Sequence, residues 1–443
     1  MIARLPLFLL FLLSFAGFSQ SGTWVTLPNA PVVSRHNDLY FVNADRGWIV
    51  NGNGEIYRTT DGGDSWALQF NKPDAHFRSI GFLNDQDGWA GNVGFGEFGA
   101  TDSIPFYHTT NGGQNWQAFD TFSGPQPVGI CGMEVYDANI INAVGRVRGP
   151  AFFVRTTDGG QSWISRDMSA YAAGLIDVHF VSPDSGFAVG LSNANHNQSS
   201  GVILFTADGG NSWEIRHTSA RTGEWCWKIS FPSRRVGYAS LQRNSLSPIY
   251  FLKTTDGGQT WSSELFRDAY YFVQGLGFVD EMNGWIGGNS SEPSFFTTDG
   301  GVTWASADFG SRMNRVRFLG DTLGYAVGQT VYKYTANPTA IGRPAATIPT
   351  TVELAQNYPN PFNPTTTIRY YSAGASHLRL EIFNVEGKRI GVLLDGTVAP
   401  GWHSVVWDGQ LATGQEAPSG IYFYRLSDAG ARSHLTQKMM LIR

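Results

Sequence analysis

The sequence predicts an all-β protein in two parts, a repeated domain followed by a small antiparallel β-sandwich. Three observations support this prediction. An eight-residue motif, clearest at Thr254–Trp261, occurs six times along the chain. Its tryptophans lie 50, 47, 50, 48 and 43 residues apart, and such a near-constant period is typical of repeat architectures. After residue 351 the composition changes, and alternating apolar and polar residues between Gly and Asp turns predict short strands.

The repeated motif has the chemistry of a hairpin turn. Glycine accepts a positive φ, and the Asp carboxylate can accept hydrogen bonds from backbone N–H groups just downstream. The tryptophan then opens the next strand, where we expect its ring to be buried. We therefore expect the motif to be structural and not to bind a metal ion. Its acidic positions are Asp61, Asp158, Asp208, Asp256 and Asp299, with Asn111 in the second copy, and its aromatic positions are Trp66, Trp116, Trp163, Trp213, Trp261 and Trp304.

Each repeat has room for four short strands. In the first repeat these are residues 38–42, a run that opens with Gly47-Trp48, residues 55–59, and a strand that follows the motif. The first strands number seven, but the seventh unit lacks a motif and a fourth strand. Thr23–Leu27 has the pattern of that missing strand, so we expect it to pair with Val331–Tyr334 and close a ring. Residues 20–335 are thus predicted to form a seven-bladed β-propeller.

The remaining segments predict export. Residues 1–19 have the basic start, apolar stretch and small-x-small site of a secretory signal peptide. A Pro-, Ala- and Thr-rich stretch at 336–351 is interpreted as a linker, and 352–443 as the β-sandwich. The net charge of −5 does not indicate a nucleic-acid partner. Cys131 and Cys226 fall in repeats that should not be neighbours, so we expect two unpaired, buried thiols.

The motifs resemble those of known families. The eight-residue pattern resembles the Asp-box, or BNR repeat, of sialidases and related propellers. Together with the Gly-aromatic openings, it is similar to the photosystem II stability and assembly factor family, which implies a seven-bladed, non-catalytic binding propeller. In the tail, Tyr358–Pro364, Phe383–Gly387, Ser419–Tyr422 and Lys438-Met439 resemble the C-terminal sorting domain of type IX secretion cargo. That resemblance implies that residues 352–443 engage the type IX secretion machinery. The protein would then reach the cell surface or the medium of a Gram-negative bacterium, after Sec export to the periplasm.

The sequence offers few signs of catalysis or of a cofactor. The nine histidines are scattered without metal-ligand spacing. Gly94–Gly99 matches a dinucleotide fingerprint, but no helix follows it to hold a phosphate. Near the first blade, Val33–Asn37 does not match the Arg-Ile-Pro-like motif of sialidases. We therefore predict no enzyme, metal or cofactor. The alternative is a sialidase-like glycoside hydrolase that acts on extracellular glycans through carboxylates such as Asp167, Glu224 or Asp268.

Propeller geometry indicates where a ligand would bind. Loops from a fourth strand to the next first strand, and from a second to a third strand, gather at one end of the central channel. The second group includes the long loops 91–105 and 191–201. Arg and aromatic residues at these positions suit a protein or glycan ligand. The opposing interpretation is that the aromatic side chains pack between blades and the arginines are solvated, as in a structural surface protein. The candidates are Arg35, His36, His76, Arg78, Arg166, Arg221, Glu224, Trp225, Tyr270, Tyr271, Arg312 and Arg315.

Overall fold

A computed structural model of the protein describes residues 22–336 except 245, and 352–354, 357, 362–372, 376–398, 401–411, 413, 415–428 and 434–442. The predicted signal peptide, the interpreted linker beyond residue 336, the Tyr358–Pro361 part of the tail motif and Arg443 lie outside these ranges. The chain divides into two compact units, Met1–Asn337 and Pro338–Arg443.

The described part of the first unit consists of four-stranded antiparallel sheets, numbered here sheets 1–7 in chain order of their first strands. An N-terminal strand, β1 (Gly22–Thr26), precedes them. Sheet 1 has β2 (His36–Phe41), β3 (Gly47–Asn51), β4 (Glu55–Thr59) and β5 (Ala67–Asn71). Sheet 2 has β6 (Phe77–Phe82), β7 (Gly88–Asn92), β8 (Phe106–Thr109) and β9 (Gln117–Phe119). Sheet 3 has β10 (Gly132–Val135), β11 (Ile141–Gly145), β12 (Phe152–Thr156) and β13 (Ile164–Asp167).

The other four sheets follow the same order. Sheet 4 has β14 (Gly174–Phe180), β15 (Gly186–Leu191), β16 (Gly201–Thr206) and β17 (Glu214–Thr218), with a 3₁₀ turn at His196–Gln198. Sheet 5 has β18 (Glu224–Ser230), β19 (Gly237–Arg243), β20 (Ile249–Thr254) and β21 (Ser262–Arg267). Sheet 6 has β22 (Val273–Phe278), β23 (Gly284–Gly288), β24 (Phe295–Thr297) and β25 (Ala305–Ser306). Sheet 7 has β26 (Arg315–Leu319), β27 (Leu323–Val327) and β28 (Val331–Ala336), and β1 supplies its fourth strand.

The N-terminal strand closes the first unit. The first strand of each sheet contacts the first strand of the next, and β26 contacts β2, so the sheets form a closed ring. β1 pairs antiparallel with β28, with Trp24 opposite Tyr334. The predicted pairing of the N-terminal segment with residues 331–334 is therefore confirmed. Trp24 is 9% exposed, and its ring stacks on Phe309 of the preceding sheet at 4.5 Å between centroids.

Neighbouring sheets are held together by aromatic rings, which explains the repeated Gly-aromatic pair. Within sheet 1, Phe41 pairs with Gly47, and a β-carbon on that glycine would lie 2.5 Å from the Phe41 ring. The glycine is therefore needed for the close approach of the ring. The following aromatic residue then packs on the next sheet, as Trp48 does on Phe82 at 3.5 Å between centroids. Tyr325 of sheet 7 packs on Phe41 of sheet 1 in the same way, at 3.7 Å.

The eight-residue motifs form the turns between third and fourth strands. In the first copy, Gly63 N–H donates to Thr59 Oγ1 at 2.9 Å and Ser65 N–H donates to Asp61 Oδ1 at 2.9 Å. Gly62 and Gly63 have φ values of 69° and 96°, as the turn requires. The Ser65 hydroxyl donates to the same carboxylate, and these hydrogen bonds lower the pKa of Asp61 to about 2. The two backbone N–H bonds recur in the other five copies, including the second, where Asn111 replaces the Asp.

The motif tryptophans are less uniform than expected. Trp116, Trp163, Trp213 and Trp261 are buried. The prediction of full burial was wrong for Trp66 and Trp304, which are only partly buried. Both still pack at the edge of a core, and each donates its indole N–H to the second glycine carbonyl of its own turn, at 3.1 Å.

The second unit has two antiparallel sheets around one core. Its strands are β29 (Glu353–Leu354), β30 (Thr366–Ser372), β31 (Ser376–Phe383), β32 (Arg389–Val398), β33 (Gly401–Trp407), β34 (Gly420–Asp428) and β35 (His434–Leu441). One sheet has the order β29-β30-β33 and the other β32-β31-β34-β35. Ile368 from the first sheet, and Leu380 and Tyr424 from the second, belong to the same buried cluster. Asn357, the residue before the predicted sorting motif, donates its backbone N–H to the Tyr424 hydroxyl at 2.6 Å.

The all-β class is confirmed by this architecture. Cys131 and Cys226 are free and buried, as predicted. Among the residues that the structure describes, no helix is both long enough and apolar enough to cross a membrane.

Replacing Trp24 with Ala should destabilise the whole first unit, because the ring lies in the core between sheets 6 and 7 and its strand closes the circle. We expect a loss of about 3–5 kcal/mol in the free energy of unfolding, the usual cost of truncating a buried tryptophan. Val25 lies next to it in the same strand and is 49% exposed, so Val25→Ala is the matched control. Denaturant unfolding measures both variants, and equal stability of the two would contradict the closing role of Trp24.

Candidate functional site

A cavity of about 290 Å³ lies at one end of the central channel and is named here the upper mouth. It is built from segments that precede or begin first strands and from loops that follow second strands, in sheets 1 to 6. These are the loop classes that the sequence analysis expected to meet. Its lining residues are Arg35, Phe98, Arg148, Ala194, His196, Trp225, Trp227, Gln242, Asn244, Phe272, Gln274 and Asn289.

The walls of the upper mouth are aromatic and amide-rich. The rings of Trp225 and Trp227 are parallel within 2°, with centroids 6.4 Å apart. The side-chain amide of Gln274 donates to Gln242 Oε1 at 2.9 Å, and Arg35 donates in turn to Gln274 Oε1. The lining thus joins two aromatic faces to a connected set of polar groups with fixed orientation.

A second arginine lies below this lining. Arg78 is completely buried, and its Nη1 donates to Asn37 Oδ1 at 3.2 Å. Its Nε and Nη2 have no hydrogen-bond partner. The guanidinium carbon lies 5.2 Å from the ring centroid of Trp227 and 5.6 Å from that of Phe98, and both rings line the cavity. A buried cation with free donors costs free energy unless an anion compensates it.

The buried cations set the electrostatics of the upper mouth. Burial, followed by the charge of Arg78, lowers the pKa of Arg35 to about 9. Burial, Arg78 and Arg35 lower the pKa of His76 to about 3, so this imidazole is neutral at pH 7. Its ring stacks on Phe98 at 5.0 Å between centroids. The positive charge at this mouth is therefore carried by guanidinium groups and not by histidine.

The middle of the channel is occupied by buried ion pairs. Arg315 donates from Nε to Asp38 at 2.9 Å and from both terminal nitrogens to Asp177 at 2.8 and 2.9 Å. Although burial opposes ionisation of Asp177, Arg315 and Lys228 outweigh it and hold its pKa at about 2. Lys228 is itself buried without a partner for Nζ, and burial followed by Arg315 lowers its pKa to about 7. These contacts connect sheets 1, 4 and 7 across the ring.

A second cavity, of about 400 Å³, lies below these ion pairs and is named the lower mouth. On its wall, Glu134 Oε1 lies 2.7 Å from His179 Nδ1. Burial opposes protonation of His179, but the Glu134 carboxylate outweighs it and raises the histidine pKa. Arg317, also on this wall, bonds to Asp38 and to the Met133 carbonyl.

The structure brings some of the predicted site residues to the upper mouth. Arg35 and Trp225 line it, and His76 and Arg78 pack against its Phe98 wall. His36 is buried, with Nε2 3.0 Å from the Pro31 carbonyl, and burial lowers its pKa to about 4.

Other predicted residues have different surroundings. Arg312, with a φ of 52°, donates to the Ser34 carbonyl and does not line the cavity. Arg315 belongs to the ion pairs in the channel.

Further predicted residues are structural or lie elsewhere. Arg221 pairs with the buried Glu224 and covers the Tyr250 ring. Tyr271 is 1% exposed and donates to the Pro293 carbonyl, and its ring packs between Phe266 of sheet 5 and Phe295 of sheet 6, as the opposing interpretation expects.

Two more of the predicted site residues also lie outside the cavity. Tyr270 is exposed and is absent from its lining. Arg166 lies on the outer strand β13 and donates to Asn211 in the neighbouring turn motif at 2.5 Å. The prediction that Arg166 sits at the mouth conflicts with this geometry, because the end of an outer strand faces the rim.

The sequence analysis expected the loops that supply Phe98, Ala194 and His196 but did not single out these residues, and it missed Arg148, Gln242 and Gln274 and all of the acidic groups of the channel. Gln242 lies near the end of β19 and Gln274 near the start of β22, and neither belongs to a motif. Asp177 had a usable signal, since it is the one carboxylate in a strand, Gly174–Phe180, whose only other polar side chain is His179. A charged residue at such a position is rarely left unpaired.

Within the described ranges, no three side chains of His, Cys, Asp or Glu are grouped so that they would hold a metal ion. The site must therefore be interpreted from its guanidinium, amide and aromatic groups.

A ring of four-stranded antiparallel sheets with its cavity at the channel mouth is the architecture of a β-propeller. The chain is similar to Ycf48: residues 18–166 match the family model described as photosynthesis system II assembly factor YCF48. It is 27% identical, over 326 residues, to the photosystem II assembly lipoprotein Ycf48 of Synechococcus sp. (strain CC9902), covering 65% of this chain and 85% of that protein. An assembly factor is not an enzyme, which agrees with the prediction of a non-catalytic chain.

Solved structures show the same fold. A structure of YCF48 bound to D1 peptide aligns with a TM-score of 0.54 at 18% identity, over 72% of this chain and 98% of that one. PorZ, described as a surface component of the type-IX secretion system of Porphyromonas gingivalis, aligns at 0.50 and 12% identity, over 94% of this chain and 60% of that one. An ancestral GH74 enzyme aligns at 0.53 and 12% identity, over 94% and 63%. At these identities the likeness concerns the fold alone.

Replacing Arg315 with Met should destabilise the first unit by about 3–5 kcal/mol, because two buried carboxylates lose their shared partner. Arg166→Met removes an arginine whose hydrogen bond is at the exposed rim and should change the free energy of unfolding by less than about 1 kcal/mol. Chemical denaturation of both variants checks this. A similar small effect in both would show that the channel ion pairs do not hold the ring together.

The stability contribution of Asp177 should depend on pH. Its folded pKa of about 2 lies below the unfolded value of about 3.9, so its contribution is complete above that unfolded value. It is lost as the pH falls through the folded pKa. The difference in unfolding free energy between the wild type and Asp177→Asn should therefore shrink as the pH falls from about 5 to 2.5, a range well below the pKa of about 7 of the neighbouring Lys228. A difference that stayed constant down to pH 2.5 would contradict the ionised state of Asp177.

Proposed function

We propose that the protein is an exported, non-catalytic binding module: a seven-bladed β-propeller that recognises an extracellular protein or glycan, followed by a β-sandwich that directs secretion. The upper mouth carries this proposal. It is a concave site with two parallel tryptophans, a connected pair of glutamines and arginines from two sheets. Such a combination can bind and orient a ligand, and none of the described lining residues carries a carboxyl group.

The seven-blade interpretation rests on the ring of four-stranded sheets and on the closing strand at its N-terminus. A sandwich interpretation of the tail rests on two sheets that share one core. Similarity to Ycf48 supports a binding role without catalysis, and a propeller of similar fold is described bound to a peptide. A protein ligand is consequently one of the two classes that the binding experiment must include.

Export rests on the sequence. Residues 1–19 have the composition of a signal peptide, and residues 352–443 carry the motifs of a type IX sorting domain. The tail also belongs to a compact unit of its own, as a separable address requires. We accordingly place the mature protein at the outer-membrane surface or in the medium of a Gram-negative bacterium.

The alternative, a glycoside hydrolase, has less support. Hydrolysis by the usual mechanism needs two carboxyl groups that face each other across the substrate. Asp167, Glu224 and Asp268 do not line the upper mouth, and none of its described lining residues is Asp or Glu. Glu224 is instead buried against Arg221. The likeness to a GH74 enzyme concerns the fold.

Deleting residues 352–443 should leave the first unit folded but retained in the periplasm, because the deletion removes a separate compact unit. Immunoblots of periplasmic, surface and medium fractions from a strain with an intact type IX system measure the outcome. Fusing residues 336–443 to an unrelated periplasmic protein is the matched gain-of-function control. Normal release of the truncated chain, or retention of the fusion, would contradict the sorting function.

Binding at the upper mouth is tested on the mature chain, 20–443, with glycan and peptide arrays. Trp225→Ala removes one wall and should reduce the signal of any true ligand at least tenfold, whereas Arg166→Gln at the rim should not. Thermal melting of both variants confirms that they are folded. Array hits that Trp225→Ala leaves unchanged would place recognition elsewhere on the protein.

A further inference from the structure

The upper mouth has an excess of positive charge that its own residues do not balance. Arg35 and Arg148 line it, and Arg78 lies directly beneath. Glu97 is the neighbour of Phe98 in the chain, but its side chain is buried and its Oε1 lies 3.9 Å from Arg146 Nη2. The described part of the chain contributes no carboxylate to the lining.

Unused donors accompany this charge. Arg78 is completely buried, with Nε and Nη2 unpartnered, and the Trp225 indole N–H also lacks a partner at 4% exposure. Arg148 is exposed, and its guanidinium carbon lies 5.6 Å from the centroid of the Phe98 ring. Arg78 is too deeply buried to touch a ligand, but its charge adds to that of Arg35 and Arg148, which line the cavity. An anionic group with several acceptor oxygens therefore suits this mouth.

The rest of the lining indicates what carries the anion. Four amide side chains, Gln242, Asn244, Gln274 and Asn289, line the cavity. Gln274 is bonded to Gln242 and Arg35, which fixes this part of the lining, and an amide such as Asn244 or Asn289 can both donate to and accept from hydroxyl groups. The parallel indoles of Trp225 and Trp227 add an apolar wall, of which only a small part is exposed. Ala194 is the one aliphatic side chain that the described lining contributes. A site for peptide side chains would be expected to offer more aliphatic surface, whereas hydroxyl-rich rings need amides and aromatic faces.

We propose that the upper mouth binds one acidic sugar residue of a glycan, with its carboxylate held by Arg35 and Arg148 and its ring between the tryptophan wall and the amides. This assignment rests on the proposed binding function and specifies its ligand class. Arg78 acts as a positioning residue, because it stabilises the anion through the wall and does not touch it. The volume of about 290 Å³ is at the lower end for ligand pockets, which suits a single sugar unit.

The test uses the full mature chain on an array of uronate-containing, sialylated, sulfated and neutral glycans, together with acidic peptides that have free C-termini. The expected hits are carboxylated glycans. Binding of the best hit, measured by calorimetry, should fall at least tenfold when its carboxyl group is reduced to the alcohol. Arg35→Gln and the exposed Arg148→Gln should each weaken it by a similar factor, and Arg166→Gln should not.

The outcomes distinguish failure of the acidic-sugar assignment from failure of the proposed binding function. Binding that survives carboxyl reduction, or acidic peptides or sulfated glycans that bind more tightly than carboxylated ones, would overturn the acidic-sugar assignment while leaving a binding propeller. If no glycan or peptide binds in a way that Trp225→Ala weakens, the proposed function fails as well. Because Arg148 is exposed, Arg148→Gln keeps the test decisive even if Arg35→Gln destabilises the fold.

Discussion

The fold depends on the pairing of β1 with β28. Six of the sheets are made from consecutive strands, but the seventh takes its outer strand from the other end of the unit. Without β1, the edge of β28 would present unpaired N–H and C=O groups, and the aromatic cluster around Trp24 would lose its central ring. Closure therefore makes the stability of the ring a property of the whole circle, because no sheet keeps a free flank that can fray on its own.

Two kinds of contact hold the sheets of the closed ring together. Near the ends of the first strands, rings such as Phe41 and Tyr325 stack face to face across neighbouring sheets, and apolar burial drives these contacts. Along the axis, Arg315 binds Asp38 and Asp177 from two other sheets. A buried ion pair contributes little net stability when it is compared with apolar packing, but it fixes geometry strictly. We interpret the channel ion pairs as the element that fixes the relative position of distant sheets.

The upper mouth differs from the channel below it in how its charges are balanced. The channel below is closed by ion pairs that satisfy their own charges, with Lys228 as the exception. Above them, Arg78 and Arg35 are held in place by Asn37 and Gln274, which are neutral, so their charge is available to a ligand. A rigid rim and an uncompensated cation together make a preorganised site, since little conformational freedom is lost when an anion binds.

The sequence by itself determined the all-β class, the turn chemistry and the closing strand. The turn chemistry is local: the Asp61 carboxylate bonds to Ser65, four residues away, and Gly47 makes room for Phe41 on the adjacent strand. The closing strand makes a long-range pairing, but it follows from the sequence because the seventh unit lacks a fourth strand and Thr23–Leu27 has no sheet of its own. The membership of the upper mouth and of the channel was decided only by the tertiary structure. β-Bulges between Leu175 and Asp177, and between Cys226 and Ile229, change which side chain points to the axis, so strand alternation alone does not predict it. Contacts such as Arg315–Asp177 join residues 138 positions apart, and closure of the ring is the physical reason that they meet.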